Sequence, residues 1–255
     1  MLSVTSLAII IPARRAARRF PGKVLYPILG RPLVLWVVEG AKQSRHAQRV
    51  IVATDDREIL ETVREAGFEA ELTRHDHPSG TDRVWEVAGR LEADWIINLQ
   101  GDEPLITGDV LDQLAEEAVR GGADLEMATL VRVMSRKDAE DPNRVKVVVG
   151  GNGDALYFSR SLVPYPRNVR RLPDEDGLTP EYLLHVGVYL YRRDILKRFV
   201  ELSPSALERI EGLEQLRALE NGIRVRCVRT EHEFLGVDAP EDVGRVEEAL
   251  RARMR

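Results

Sequence analysis

The chain has 255 residues, of which 44% are hydrophobic and 31% charged, values typical of a globular protein with a substantial buried core. The net charge of −5 disfavours nucleic-acid binding, which usually leaves a basic footprint, and the single cysteine, Cys227, excludes an internal disulfide. No apolar run approaches the roughly 20 residues of a membrane span, and the N-terminus lacks a secretory-signal pattern, so we expect a cytoplasmic protein.

The first half of the chain alternates apolar runs with amphipathic segments. Short, continuously apolar runs predict strands buried on both faces, at Leu7–Ile11, Val50–Thr54 and Trp95–Leu99. Helical spacing of apolar residues predicts helices at Leu33–Ser44, Arg57–Ala66, Asp82–Leu91 and Gly108–Arg120. Asp55, three residues before Glu58, predicts a capping box at the second helix. This alternation predicts a parallel sheet flanked by helices, which is a Rossmann-like α/β core.

The second half of the chain is predicted to add an antiparallel elaboration to this core. Gly150–Gly153 is a hairpin turn signal between two β-rich segments. Strands are predicted at Met127–Val133, Val145–Val149, Ala155–Ser159, Leu184–Tyr191 and Val225–Val228. Helices are predicted at Asp194–Glu201, at Ser205–Asn221 and from about Pro240 to the end, and an exposed loop at Arg167–Pro180. A single domain with an antiparallel elaboration is the simplest organisation.

The segment after the first strand has a high density of positive charge. Five of the ten residues from Arg14 to Lys23 are Arg or Lys, and open α/β sheets bind ligands at the carboxyl ends of their strands. Arg and Lys suit a polyphosphate, whose oxygens accept charged hydrogen bonds. The patterns GxxxxGK[ST] and GxGxxG are both absent. A solvated basic loop is the alternative, because charge runs are usually surface features.

Two acidic segments are candidate sites for a divalent metal. Asp102 and Glu103 follow the strand that ends at Leu99, and Mg²⁺ prefers one or two carboxylates together with phosphate oxygens and water. The alternative is that they only shape a turn. Asp238 lies three residues before Glu241, which is capping-box spacing, so helix capping is the stronger alternative there. A capping carboxylate can still face a metal through its second oxygen.

A turn at Ser79-Gly80-Thr81 leads into the third predicted helix. Exposed backbone amides in such a turn can contact a base edge or cradle an anion. The alternative is an ordinary helix N-terminus with Thr81 as the cap. His75 and His77 lie just before the turn, but two loop histidines without further ligands are a weak zinc signal.

Together these segments resemble one family, the 3-deoxy-D-manno-octulosonate (Kdo) cytidylyltransferases, also called CMP-Kdo synthetases. The resemblance rests on PAR…PGK, SGTDR, QGDEP and GVDxPED in family order, supported by DPNRVK, ALYFSR, HVGVY and LEQLR. It runs from about Ile9 to Val243. It implies the mixed-sheet nucleotidyltransferase variant of the Rossmann-like class and a homodimer. It also implies a nucleotide-binding part at about 1–125, a sugar-binding and dimerisation part at about 126–235, and a C-terminal metal loop and helix at about 236–255.

The implied reaction transfers CMP from CTP to the anomeric hydroxyl of Kdo, releases pyrophosphate and supplies CMP-Kdo for lipopolysaccharide synthesis. By resemblance, Arg14 and Lys23 grip the triphosphate, and Asp102 and Asp238 jointly hold Mg²⁺, with Asp102 also next to CTP. The other residues expected near the nucleotide are Ala13, Ser79, Gly80 and Arg83. The residues expected to line the sugar-acid pocket are Gln100, Arg160, His185, Tyr189, Glu214 and Gln215, with Arg160 opposite the substrate carboxylate.

Three positions depart from the family pattern. Ala17 stands where the family commonly has a hydroxyl residue, Phe20 where it has leucine, and Ala239 where it has threonine. None of them removes an implied metal ligand or the Arg14/Lys23 pair. Three alternatives stay open: a cytidylyltransferase for a related acid such as 8-amino-Kdo or a sialic acid, a nucleotidyltransferase for another base, and a non-catalytic nucleotide-binding regulator.

Overall fold

The computed structural model of the chain describes residues 6–15, 19–166 and 181–254. Its strands are β1 (Leu7–Ala13), β2 (Pro27–Ile28), β3 (Arg31–Pro32), β4 (Arg49–Thr54), β5 (Glu69–Leu72), β6 (Trp95–Asn98), β7 (Met127–Met134), β8 (Lys146–Val149), β9 (Ala155–Ser159), β10 (Tyr182–Arg192) and β11 (Val225–Arg229). Its α-helices are α1 (Leu33–Lys42), α2 (Arg57–Glu65), α3 (Gly80–Ala88), α4 (Gly108–Gly121), α5 (Arg136–Ala139), α6 (Arg193–Glu201), α7 (Ala206–Glu211), α8 (Leu216–Glu220) and α9 (Val243–Arg253). Short 3₁₀ turns occupy Lys23–Leu25, Gly122–Asp124 and Pro240–Asp242.

The central sheet is mixed, as the sequence predicts. Its strand order is β11-β7-β10-β6-β1-β4-β5, with β8 paired to β10 and β9 paired to β8. The pairs β6–β1, β1–β4 and β4–β5 are parallel, whereas β10 runs antiparallel to both β6 and β7. The hairpin predicted at Gly150–Gly153 joins the antiparallel strands β8 and β9. The Rossmann-like half and its antiparallel elaboration therefore form one sheet.

Helices cover both faces of this sheet, which explains why the inner strand β1 is apolar throughout. In β1, Leu7, Ile9 and Ile11 face one side and pack in a core with residues of α1, α2 and α4. Ala8 and Ile10 face the other side and pack with residues of α3, α6 and α8. All five side chains are at most 2% exposed, so β1 lies in the middle of the protein. Within the described residues, no helix has the length and apolar character needed to span a bilayer.

Two local predictions near helix N-termini are wrong. Asp56, not Asp55, is the N-cap of α2 and accepts a hydrogen bond from the Ile59 backbone N–H at 3.1 Å. Asp55 instead pairs with Arg83 at 3.1 Å. The third helix begins at Gly80, two residues earlier than predicted, because the Ser79 hydroxyl caps it.

The helix predicted at Ser205–Asn221 is two helices. Gly212 ends α7 with a left-handed backbone (φ 63°), a conformation that favours glycine, and the chain turns before α8 begins. Glu214 and Gln215 lie in that turn and both line a cleft. The exposed loop predicted at Arg167–Pro180 lies outside the described residues, as does the departure at Ala17.

Candidate active site

The carboxyl ends of β1 and β6 bring the first two candidate segments together. The two strands are parallel neighbours, and Arg14 directly follows β1, whereas Gln100 and Asp102 follow β6. Two cavities open here. A pocket of about 330 Å³, called the basic pocket below, is lined by Pro12, Arg14, Arg19, Phe20, Lys23, Val24, Gln100, Gly101, Asp102 and Asp238. A larger cavity of about 980 Å³, called the large cleft, shares Gln100, Asp102 and Asp238 with it.

The side chains of Asp102 and Asp238 both lie beside the ammonium group of Lys23. The Lys23 ammonium donates a hydrogen bond to Asp102 and another to the Val237 carbonyl at 3.0 Å, and lies 3.5 Å from Asp238 Oδ1. Arg19 Nη2 lies 3.1 Å from the other oxygen of Asp238. Two carboxylates separated by more than a hundred residues in sequence thus lie at one point, where the basic pocket meets the large cleft.

The loop before α9 holds Asp238 in this position. The Val237 backbone N–H donates to the Asp102 carbonyl at 2.9 Å, which ties the two acidic loops together. The Asp242 carboxylate accepts the backbone N–H groups of Asp238 and Ala239, each at 2.9 Å. The helical turn is therefore capped one residue later than predicted: Ala239 is the N-cap, and Asp242 has the role that the spacing assigned to Glu241. The Asp238 carboxylate is left to face Lys23 and Arg19.

Glu103 is a third acidic residue of this site, and sequence analysis assigned it no role separate from that of Asp102. It lines the large cleft, and its Oε2 is buried without a hydrogen-bond partner among the described residues. Burial raises the pKa of its carboxyl to about 8, helped by the negative charges of Asp102 and Asp238 and opposed by Lys23. The signal available in the sequence was its place next to Asp102 in QGDEP.

These residues fit a divalent cation, judged by what they already hold. The ammonium of Lys23 is a positive charge bound by the same two carboxylates that the resemblance assigns to Mg²⁺. Within the described part of the chain, no group of three or more His, Cys, Asp or Glu side chains is arranged to hold a metal. A site with two protein carboxylates suits Mg²⁺, which takes its remaining ligands from phosphate and water.

The described cationic side chains between Arg14 and Lys23 lie in two different environments. Arg14, Arg19 and Lys23 line the basic pocket. Arg15 instead pairs with Glu58 at the start of α2 and lies 3.7 Å from Asp56. Three of the described charges of this segment therefore line a cavity, and one forms ion pairs with α2 and its cap.

The remaining residues expected near the nucleotide surround the start of α3. Ser79 and Gly80 line a third cavity of about 730 Å³, which also contains Arg14 and Glu214. Arg83 is buried and donates to Thr73 Oγ1 and to the Arg74 carbonyl, besides pairing with Asp55. Ala13 is buried at the end of β1. The structure brings Ser79 and Gly80 beside Arg14, whereas Arg83 is engaged by neighbouring protein groups.

All six residues predicted for the sugar-acid pocket line the large cleft: Gln100, Arg160, His185, Tyr189, Glu214 and Gln215. The His185 ring packs against Tyr189 at 5.4 Å and lies 3.2 Å from Thr129 Oγ1 and 3.5 Å from the Gln215 amide. The Arg160 guanidinium donates to the backbone carbonyls of Glu211 at 2.7 Å and Pro142 at 3.0 Å. Its orientation is therefore set by the chain around it.

His185 makes the stability of the fold depend on pH. Burial lowers the pKa of its imidazole to about 3, whereas an unfolded histidine titrates near 6.5. Between these values the unfolded chain binds more protons, so this contribution is complete above about pH 6.5 and is lost as the pH falls. We expect His185→Gln to weaken the fall in the free energy of unfolding between pH 7 and 5, by up to about 1.4 kcal/mol per pH unit.

Urea titrations at both pH values measure this dependence. His75→Gln, a change at an exposed histidine, should leave the wild-type dependence intact. Equal pH dependence in wild type and His185→Gln would contradict the assignment.

A mixed α/β sheet with a basic pocket and paired carboxylates at its carboxyl edge defines a nucleotidyltransferase. A family model described as cytidylyltransferase matches residues 8–227. The chain is 48% identical to the 3-deoxy-manno-octulosonate cytidylyltransferase of Geobacter metallireducens over 245 residues, covering 94% of this chain and 96% of that protein. Its fold is similar to that of CMP:2-keto-3-deoxy-manno-octonic acid synthetase complexed with CTP, at a TM-score of 0.90, 42% identity and coverage of 98% and 100%.

A more distant structure, a cytidylyltransferase from Leptospira borgpetersenii, shares the fold at 16% identity and a TM-score of 0.65, covering 97% of this chain and 87% of that one. The 48% and 42% identities over nearly the whole chain, together with the family model, show the family. The chain belongs to the 3-deoxy-manno-octulosonate cytidylyltransferases.

Proposed function

We propose that the protein transfers CMP from CTP to the anomeric hydroxyl of Kdo, releasing pyrophosphate and giving CMP-Kdo for lipopolysaccharide synthesis. The observation that carries the proposal is the meeting of Asp102 and Asp238 on one ammonium, between the basic pocket and the large cleft. The names of the relatives support the same reaction.

The basic pocket suits the triphosphate of CTP. Arg14, Arg19 and Lys23 supply three positive charges against a strongly anionic ligand. Lys23 would exchange its carboxylate partners for phosphate oxygens, which moves a positive charge towards the leaving pyrophosphate. The start of α3 adds the backbone amides of its first turn near Arg14, a position that favours an anion or a base edge.

Asp102 and Asp238 would hold Mg²⁺, the cofactor that we propose. When bound, it neutralises charge at the α-phosphate and lowers the pKa of the attacking hydroxyl. Both reactants are anions, so most of the catalytic work of the protein is charge neutralisation and alignment. Asp102 and Asp238 border both cavities and can therefore serve the nucleotide and the sugar acid together.

The large cleft suits the sugar acid because it combines cationic and hydroxyl-binding groups. Arg132, Arg144 and Arg160 line it and supply positive charge for a carboxylate. His185 stays neutral at physiological pH because burial lowers its pKa, so it can donate or accept hydrogen bonds without adding charge. Tyr189, Glu214 and Gln215 add further polar groups for sugar hydroxyls.

The test is pyrophosphate release from CTP, Kdo and Mg²⁺, with magnesium, CTP and Kdo omitted in turn. We expect release only in the complete mixture. Panels of the four nucleoside triphosphates and of sugar acids, including 8-amino-Kdo and sialic acids, identify the preferred pair. CTP binding without pyrophosphate release with any sugar acid would favour a non-catalytic regulator and overturn the proposal.

We further propose that the enzyme acts as a homodimer in the cytoplasm. Sedimentation tests the oligomeric state, and cell fractionation tests the location.

A further inference from the structure

Thr81 belongs to the segment assigned to the nucleotide, but its side chain is directed towards the sugar-acid residues. It is 3% exposed and lies in the first turn of α3. Its hydroxyl donates a hydrogen bond to Glu214 Oε2 at 2.6 Å and lies 3.3 Å from the Asn98 side-chain amide, which donates to it. The Thr81 hydroxyl therefore joins α3, the end of β6 and the turn between α7 and α8. The cap of α3 is provided separately by Ser79, so Thr81 is not needed for that purpose.

Only one of the two carboxyl oxygens of Glu214 accepts a hydrogen bond within the described residues. Oε2 accepts from Thr81, whereas Oε1 is buried and has no hydrogen-bond partner within the described residues. Arg217 Nη2 lies 3.7 Å from Oε1, beyond hydrogen-bond distance, and Arg217 is already paired with Glu208 through two hydrogen bonds. A buried carboxyl oxygen without a partner is costly, and Glu214 lines both the large cleft and the third cavity.

We propose that Thr81 is a positioning residue for the sugar acid. Its hydroxyl fixes the Glu214 carboxyl group so that Oε1 is left to receive a hydroxyl group of the sugar acid in the large cleft. The first turn of α3 thereby serves both substrates: Ser79 and Gly80 border the cavity that contains Arg14, and Thr81 sets the geometry of the sugar-acid pocket. This inference rests on the proposed function, because it assigns Glu214 to the sugar acid.

Thr81→Val tests the inference, because valine has nearly the shape of threonine and replaces its hydroxyl group with a methyl group. We expect the KM for Kdo to rise about tenfold to a hundredfold, because this is the usual effect of losing a hydrogen bond to a buried or charged group. The KM for CTP should stay within about twofold, because Ser79 and Gly80 are untouched. Thr81→Ser restores a hydroxyl at this position and should return the KM for Kdo to near the wild-type value.

Thr107→Val is the matched control. Thr107 also lies at a helix N-terminus, and its side chain makes no capping hydrogen bond to α4. We expect wild-type kinetics from it. If Thr81→Val is insoluble, Thr81→Ala takes its place under the same criteria.

Three results would overturn the inference. They are an unchanged KM for Kdo in folded Thr81→Val, equal rises in the KM values for Kdo and CTP, and a KM for Kdo in Thr81→Ser that stays as high as in Thr81→Val. Wild-type turnover in the same assay separates these outcomes from failure of the proposed function. An inactive wild type would reject the proposed reaction, whereas an active wild type with an unaffected Thr81→Val rejects only the role of Thr81.

Discussion

Replacing either acidic residue of the paired site, by Asp102→Asn or Asp238→Asn, is expected to lower kcat at least about a hundredfold while the protein stays folded. Asparagine keeps the shape of the side chain and removes its charge, so it can neither balance a cation nor hold Lys23 as an ion pair. Pyrophosphate release at saturating CTP and Kdo measures the effect, and circular dichroism verifies the fold.

The two aspartates should also behave as a unit. If both serve one ion, the double variant should lose little more activity than either single variant, because effects of residues that act together are not additive. Asp109→Asn is the matched control, since Asp109 is an exposed carboxylate in the first turn of α4, and it should keep wild-type turnover. Retained turnover in both Asp102→Asn and Asp238→Asn would contradict the proposed role.

Gly108→Ala is expected to be among the most destabilising single substitutions in the chain. A methyl group at Gly108 would overlap the backbone of Gln43 and Ser44, just after α1. These backbone atoms cannot rotate away as a flexible side chain can, so α4 must move away from the end of α1. We expect a loss of about 3 kcal/mol or more in the free energy of unfolding. Urea denaturation, or the soluble yield if the variant aggregates, measures it.

The displacement caused by Gly108→Ala should extend to the loop that carries Asp102. Gly108 begins α4 at the end of the loop that carries Asp102, and on the facing helix a methyl group at Gly40 would overlap the Ile106 carbonyl in that same loop. Gly244→Ala is the control with the opposite sign. Gly244 lies exposed inside α9 with open space around it, so alanine should raise helix stability by up to about 1 kcal/mol. Equal, small effects of the two substitutions would contradict the close approach of α1 and α4.

The fold could be predicted from the sequence where its signals are local and strong. Apolar runs such as Ile9–Ile11 belong to strands buried on both faces, and the hairpin at Gly150–Gly153 follows from its turn residues. The missed strand β5, Glu69–Leu72, is short and carries two glutamates, so it has no apolar run to identify it. The break between α7 and α8 was missed because Gly212 lies within an otherwise helical pattern.

Only those residues of the candidate site that belong to recognisable sequence motifs could be predicted. Asp102 and Asp238 were assigned as a pair by the family resemblance, whereas spacing alone favoured helix capping for Asp238. In the structure Ala239 is the N-cap, and Asp242 accepts the backbone N–H groups of Asp238 and Ala239. Glu103 received no separate role and Thr81 was considered only as a helix cap, because the importance of both depends on burial and on contacts distant in sequence. No periodicity or spacing reveals that Thr81 meets Glu214, which follows it by 133 residues.

Divalent metal binding tests the central claim most directly, namely that Asp102 and Asp238 share one ion. Mn²⁺ can replace Mg²⁺ as a spectroscopic probe, and its free concentration can be followed by electron paramagnetic resonance in the presence of CTP and the absence of sugar acid. The account predicts that wild type and Asp109→Asn bind Mn²⁺ beyond what CTP alone binds, and that Asp102→Asn and Asp238→Asn each lose this excess. Wild-type Mn²⁺ binding by both variants would contradict it.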